Sequence, residues 1–208
     1  MIRFTNQLTD KERKEAKALI ASCQANDHTF REPYLSNMLN FDSTMPTFFL
    51  YYQEEELLGL LTVYADNEDV EVAILVVPEY RRKGIARSLF DKFQKETASY
   101  PIQSVTFQTE RVFLDCHPDF ISHWGLVEDA GTETWLGRDR TPYTLDFRSD
   151  VKSLLATSSY LEEIAQLHHQ AFSDAEETFE VSLRYIAEAL KDSNSLLYIL
   201  LKEGQVIG

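Results

Sequence analysis

The chain has 208 residues, more than one typical domain and short of two, and 34 Asp and Glu against 20 Lys and Arg give it a formal charge of -14. That balance excludes general nucleic-acid binding, which requires a basic face, and apolar runs as short as "ILVV" and "SLLYILL" exclude a bilayer-spanning helix. Cys23 and Cys116 form no CxxC pair and read as free thiols, which points to a reducing, cytoplasmic setting and gives no metal-ligand spacing. The opening segment "MIRFTNQLTDKERKEAK" turns polar within a few residues and lacks the apolar stretch of a signal peptide. In chain order, "IRFTNQL" reads as a short strand. "TDKERKEAKALIASCQ" follows as a helix with a capping Thr or Asp and an apolar face of Ala16, Leu19, Ile20 and Cys23. Pro33 and Pro46 around "YLSNMLNF" predict a short helix between loops. "TFFLYYQEEELLGLLTVYAD" is a hairpin about the polar turn "QEEE". "DVEVAILVVP" is a buried strand closed by Pro78, and "GIARSLFDKFQKETASY" a helix with Ile85, Leu89 and Phe93 as its inner stripe. "SVTFQTE" is another strand, and the stretch beginning "HPDFISHWG" predicts a short helix, a turn at Gly125 and a two-stranded ending. Helices that cross between strands imply a mixed sheet covered by helices.

Past residue 150 the pattern returns. "SYLEEIAQLHHQAFSD" resembles the first helix, and "LLYILLKEGQVIG" repeats "FFLYYQEEELLG" at an offset of 149, with Gly208 falling on Gly59. Strand, helix, second helix and hairpin recurring in order indicate a duplication. The second copy stops before any counterpart of the segment that follows Pro78, so it is expected to be the front half of a domain with an open sheet edge, packed on the first domain or paired in a homodimer.

The stretch "VVPEYRRKGIARSLF", residues 76–90, is out of keeping with an acidic chain: Arg81, Arg82, Lys83 and Arg87 gather around Gly84 and Ala86. A strand ends, cations follow, and a helix begins. The first N–H groups of a helix lack intrahelical partners and carry the positive end of the macrodipole. Glycine lets that backbone approach a ligand, and the cations complete a diphosphate site. Neither GxxxxGK[ST] nor GxGxxG occurs, which removes the common nucleotide loops.

Val76, Pro78, Tyr80, Arg81, Gly84, Ile85 and Ala86 match V-x-P-x-[YF]-[RQ]-x-x-G-[IVL]-[GA], and the stretch resembles the coenzyme A loop of the GCN5-related N-acetyltransferase (GNAT) superfamily. The hairpin before it and "HWGLVED" after it resemble the family's order. The resemblance covers residues 1–147 as a GNAT-like acetyl-CoA-binding domain, with 150–208 as the N-terminal half of a second. It implies an α/β (mixed α+β) fold: a central, mostly antiparallel mixed sheet flanked by helices. It implies that the backbone of Arg82 to Arg87, with Arg81, Lys83, Gly84, Ile85 and Ala86, cradles the pyrophosphate of acetyl-CoA, and that Leu75, Val76 and Val77 pair with the pantetheine arm. The reaction it implies is N-acetylation, by direct attack of a small-molecule or peptide amine in a ternary complex.

The general base that the resemblance implies is a glutamate on the strand before the loop, and Glu71 is the nearest, with Glu68 and Asp69 behind it; a one-residue shift in a strand turns it to the other face. The family's acid is a tyrosine four residues before the late glycine, where Ile121 stands here, leaving Cys116, His117 and His123 as substitutes. Acceptor recognition is expected from residues 24–46, with Phe30, Tyr34 and Phe41 as pocket or core, and Asp27, His28 and Glu32 as contacts to an amine. The alternative reading is a catalytically degenerate domain, a CoA-binding, regulatory or scaffold module.

Overall fold

The computed structural model describes residues 1–129, 131, 150–172, 178–192 and 196–208. The chain divides into two units, Met1–Glu128 and Asp129–Gly208.

The first unit is a five-stranded sheet in the order β1-β2-β3-β4-β5. Strand β1 (Ile2–Thr5), β2 (Phe48–Gln53), β3 (Glu56–Tyr64) and β4 (Asp69–Val76) run antiparallel to one another; β5 (Ser104–Phe107) is parallel to β4. Helix α1 (Asp10–Asp27) starts at a capping box in which Thr9 and Glu12 satisfy each other's backbone N–H groups, and ends at His28 in the left-handed region. Its Ala16, Leu19, Ile20 and Cys23 pack on Leu50, Leu57 and Leu60. Helix α2 (Ile85–Glu96) covers the opposite face, where Ile85, Leu89 and Phe93 meet Phe49, Leu58, Val70 and Val72. Two short helices follow β5, α3 (Arg111–Cys116) and α4 (Phe120–Trp124); α4 ends at Gly125 with φ 66°.

A bulge in the hairpin decides how closely α2 can approach. Tyr51 pairs with Gly59 and Tyr52 with Leu57, so Leu58 is the extra residue. Gly59 then faces α2, where a Cβ would lie 2.7 Å from Ile85 Cγ2 and 3.0 Å from Leu89 Cδ1.

No helix forms between α1 and β2, contrary to the reading of "YLSNMLNF". The backbone there is satisfied by side chains instead. Gln24 Nε2 donates to the carbonyls of Phe30 and Arg31, Arg13 donates to that of Leu35, and Asn37 donates to that of Ser43. Asn40 accepts from the Ala65 N–H. Such side-chain bonds compete with the helical ladder. Helix α3 was not foreseen, and the two-stranded ending after Gly131 lies outside the described residues.

The second unit holds β6 (Val151–Leu155), α5 (Leu161–Phe172), α6 (Phe179–Lys191), β7 (Tyr198–Lys202) and β8 (Gln205–Val206), with sheet order β6-β7-β8. Both helices contribute to a core with Ile199, Leu201 and Val206. Its hairpin repeats the first in detail. Glu203 adopts φ 52° where Glu54 has 55°, and Leu201 pairs with Val206 as Tyr52 pairs with Leu57. Leu200 donates to the Gly208 carbonyl and accepts from the Ile207 N–H, which places the same bulge at the same offset. The second-helix part of the match fails, because α6 has no helical counterpart in the first unit.

Candidate functional site

Strands β4 and β5 pair from Asp69↔Ser104 to Val72↔Phe107 and then separate, while β4 continues to Val76. Peptide groups alternate sides along a strand. The Val77 N–H donates to the Leu58 carbonyl, toward β3, and the Glu68 carbonyl accepts from Gln103, toward β5. Leu75 and Val77 therefore direct their peptide groups to β3. Ile74 and Val76 direct theirs into the opening left by β5. Of the three strand-end residues singled out from sequence, Val76 alone faces that opening, and Ile74 joins it.

Beyond Val76 a 3₁₀ turn over Pro78–Tyr80 leads into the cationic loop. Arg82 (φ 61°) and Gly84 (φ 82°) both adopt left-handed backbone. For an arginine this is strained conformation, of the kind that concentrates at functional sites. Helix α2 begins at Gly84 with no side-chain cap and no acid in its first turn. Ser88 N–H returns to the Gly84 carbonyl, so the N–H groups of Ile85, Ala86 and Arg87 point out of the helix. Nothing lies within 4 Å of a Cβ built on Gly84. Arg82, Lys83 and Arg87 are exposed. Lys83 stands 4.4 Å over the Tyr80 ring, and the Arg87 guanidinium 4.3 Å over Trp124. Outward N–H groups with exposed cations beside them are chemically suited to an anion.

Arg81 has a different job from its neighbours. Its Nη atoms donate to both Asp27 oxygens at 2.6 Å, and its Nε to the Val76 carbonyl at 3.0 Å. The guanidinium thus clips the C-terminal end of α1 to the end of β4. Burial raises the Asp27 pKa, but Arg81, the Asn26 amide and the charge of His117 outweigh it and hold the carboxyl below its ordinary value. Cys23 donates to the same Val76 carbonyl at 3.4 Å, and burial pushes its thiol up despite the neighbouring guanidinium. Asp27, expected to meet an amine, is committed to this clamp.

Glu71 projects on the α1 side of the sheet, since Val70 and Val72 enter the α2-side core and Leu75 packs with α1. Its Oε2 lies 3.1 Å from Arg31 Nη2. The Phe30 and Arg31 N–H groups both donate to one oxygen of Glu110, at 2.6 and 2.8 Å, which fixes the segment after α1 against the entry to α3. Arg31, Glu110 and Trp124 were not singled out from sequence. Arg31 meets its carboxylates across 40 and 79 positions, a separation no local pattern reports.

The expected aromatic pocket does not assemble. Phe30 is 85% exposed, Tyr34 meets Tyr64 edge-on, and Phe41 packs against the core. An open depression lined by Ala21, Gln24, Ala25, His28, Thr29 and Phe30 includes neither Glu71 nor Arg81. Cys116, His117 and His123 are exposed, His117 lying 4.5 Å from Phe113 ring to ring. Glu32 and His28 are exposed as well. Among the described residues, no group of three or more His, Cys, Asp and Glu gathers as metal ligands, and no helix is long and apolar enough to cross a membrane.

A family model described as the Acetyltransferase (GNAT) family matches residues 13–119. The chain belongs to this family. The match runs from within α1 to the residue before α4, and so contains the hairpin, the splayed strand and the loop. Among solved structures, a GCN5-related N-acetyltransferase from Sphaerobacter thermophilus is similar in fold, with TM-score 0.59 and 16% identity over 100% of this chain and 70% of that one. A ribosomal-protein-alanine N-acetyltransferase from Brucella melitensis biovar Abortus 2308 gives TM-score 0.46 and 18% identity over 66% of this chain and 98% of that one. Comparison with curated proteins gives no match. The GNAT fold, a mostly antiparallel sheet flanked by helices, is the one foreseen from sequence.

Proposed function

We propose that this GNAT protein is an N-acetyltransferase that moves the acetyl group of acetyl-CoA to a primary amine in a ternary complex. The uncapped α2 N-terminus beside the β4–β5 opening is the observation that carries the reading. The N–H groups of Ile85 to Arg87 would hold the pyrophosphate, with Arg82, Lys83 and Arg87 adding charge. Arg81 acts on the loop's position and not on the phosphate, because its donors are committed to Asp27 and Val76. The backbone of Ile74 and Val76 is the edge on which an extended pantetheine would pair.

Glu71 is the proposed base. It takes a proton from the acceptor ammonium, and the neutral amine then attacks the thioester carbonyl. The C–N bond forms, the C–S bond breaks, and the thiolate leaves. Ile121 has no proton to give, so the second proton lost by the attacking nitrogen passes through water to the thiolate. A backbone N–H facing the opening is suited to polarise the carbonyl oxygen. The competing reading, a CoA-binding module without turnover, draws support from that same Ile121 and from Arg31 lying on Glu71. We further propose that residues 150–208 repeat the front of the first domain, a reading supported by the shared bulge and turn of the two hairpins.

Calorimetric titration of acetyl-CoA into the wild type and into Gly84→Glu tests the site. Saturable binding in the wild type, lost in a variant that still unfolds cooperatively, is the expected result; no binding by a folded wild type overturns it. Glu71→Gln should then lower turnover about 10²-fold or more while leaving acetyl-CoA affinity in place.

A further inference from the structure

Of the ion pairs at this end of the unit, one involves the proposed base. Arg81 is bidentate on Asp27, whose side chain is 8% exposed. Arg111 is on Glu128, with side chains 60% and 49% exposed. The Arg31 guanidinium lies 3.1 Å from Glu71, with side chains 29% and 34% exposed. A pair so placed adds little stability. Yet the backbone beneath it is held firmly, with the N–H groups of Phe30 and Arg31 on one oxygen of Glu110. A guanidinium is thereby presented at a fixed place beside the proposed base.

A base that takes a proton from an amine directly lies within hydrogen-bond reach of it, and Arg31 stands against one of the Glu71 oxygens. An acceptor carrying only positive charge would displace the guanidinium and be repelled by it. An acceptor with a carboxylate next to its amine would exchange partners: the ammonium goes to Glu71 and the carboxylate to Arg31. Two ion pairs replace one, and no charge is left unpaired. Since the two protein groups lie in contact, the acceptor's opposite charges must lie within a few ångströms of each other, as in an α-amino acid. Arginine also offers the planar fork that suits a carboxylate.

We propose that the acceptor is an amino-carboxylate of the α-amino acid class, its carboxylate bound by Arg31 and its amine by Glu71. This rests on the reading of Glu71 as the acceptor-side base.

The test titrates the twenty common amino acids, and the carboxamide of each one that binds, into the protein saturated with CoA, and separately follows thiol release from acetyl-CoA with the same compounds. At least one amino acid should bind on the order of tenfold more tightly than its carboxamide. Arg31→Gln should erase that preference by weakening the acid form alone, and Arg31→Lys should restore part of it. Carboxylate-selective, Arg31-dependent binding without thiol release would uphold the amino-carboxylate as the ligand of Arg31 and Glu71 and overturn its role as acceptor, together with acetyl transfer. Thiol release with amines that shows no preference for the acid form would overturn the inference and leave acetyl transfer standing. Failure of every amino acid to bind, or a preference unchanged by Arg31→Gln, overturns the inference.

Discussion

Replacing Asp27 by asparagine removes the anion from the clamp while keeping its size. Arg81 then keeps its bond to the Val76 carbonyl, and its two ionic bonds of 2.6 Å are reduced to at most one, to a neutral amide oxygen. Asp27 and Arg81 are 8% and 24% exposed, so water restores only part of what is lost. Breaking a fully buried pair costs roughly 3–5 kcal/mol, and partial access lowers the figure here to about 2–3 kcal/mol. For a unit of this size that is a fall in Tm of roughly 8–12 °C. The pH dependence is diagnostic. The folded-state pKa of Asp27 lies below its ordinary value, so its contribution is complete above the unfolded carboxylate range, near pH 4, and is lost as pH falls through the folded value. The stability gap between wild type and Asp27→Asn, measured by urea unfolding from pH 7 to pH 3, should therefore be flat down to about pH 5 and close below that. A gap under about 0.5 kcal/mol at pH 7, or one that persists unchanged at pH 3, would refute the clamp.

Gly59→Ala should cost about 1–3 kcal/mol and weaken acetyl-CoA binding, because its Cβ would meet Ile85 Cγ2 at 2.7 Å and displace the start of α2; normal binding in a destabilised variant would detach α2's position from the site. Thiol labelling at pH 8 should modify Cys116 rapidly and Cys23 slowly, since Cys116 is exposed while Cys23 is buried with its pKa raised; two equally fast thiols would contradict the burial of Cys23. Trp124→Ala removes the ring beneath Arg87 and should raise the Kd for acetyl-CoA by about threefold at low salt, less at high salt; an unchanged Kd would mean that Arg87 needs no platform.

What the sequence made legible was what local chemistry enforces. The stripe of Ile85, Leu89 and Phe93 is buried as its spacing requires, and the strand pair about Glu54–Glu55 forms where two β-rich runs flank a polar turn. The loop was legible because Gly84 and its neighbouring cations sit together in the chain. The segment 29–46 was misread because its bonds come from Arg13, Gln24 and Glu110, residues outside it. The bond from Arg81 to Asp27 was not legible because the two lie 54 positions apart. The face of Glu71 became clear only once its neighbours Val70 and Val72 were placed in the α2-side core.

Asp27 belongs to the clamp on the loop that would hold the cofactor, and Arg31 to the pair beside the proposed base; three residues lie between them. So short a tether favours movement of the two ends together. Occupancy on one side should then be felt on the other as a change in apparent affinity. Steady-state kinetics should accordingly show synergy between the two substrates, with each lowering the KM of its partner, and dead-end analogues of one should protect the other's half of the site from proteolysis.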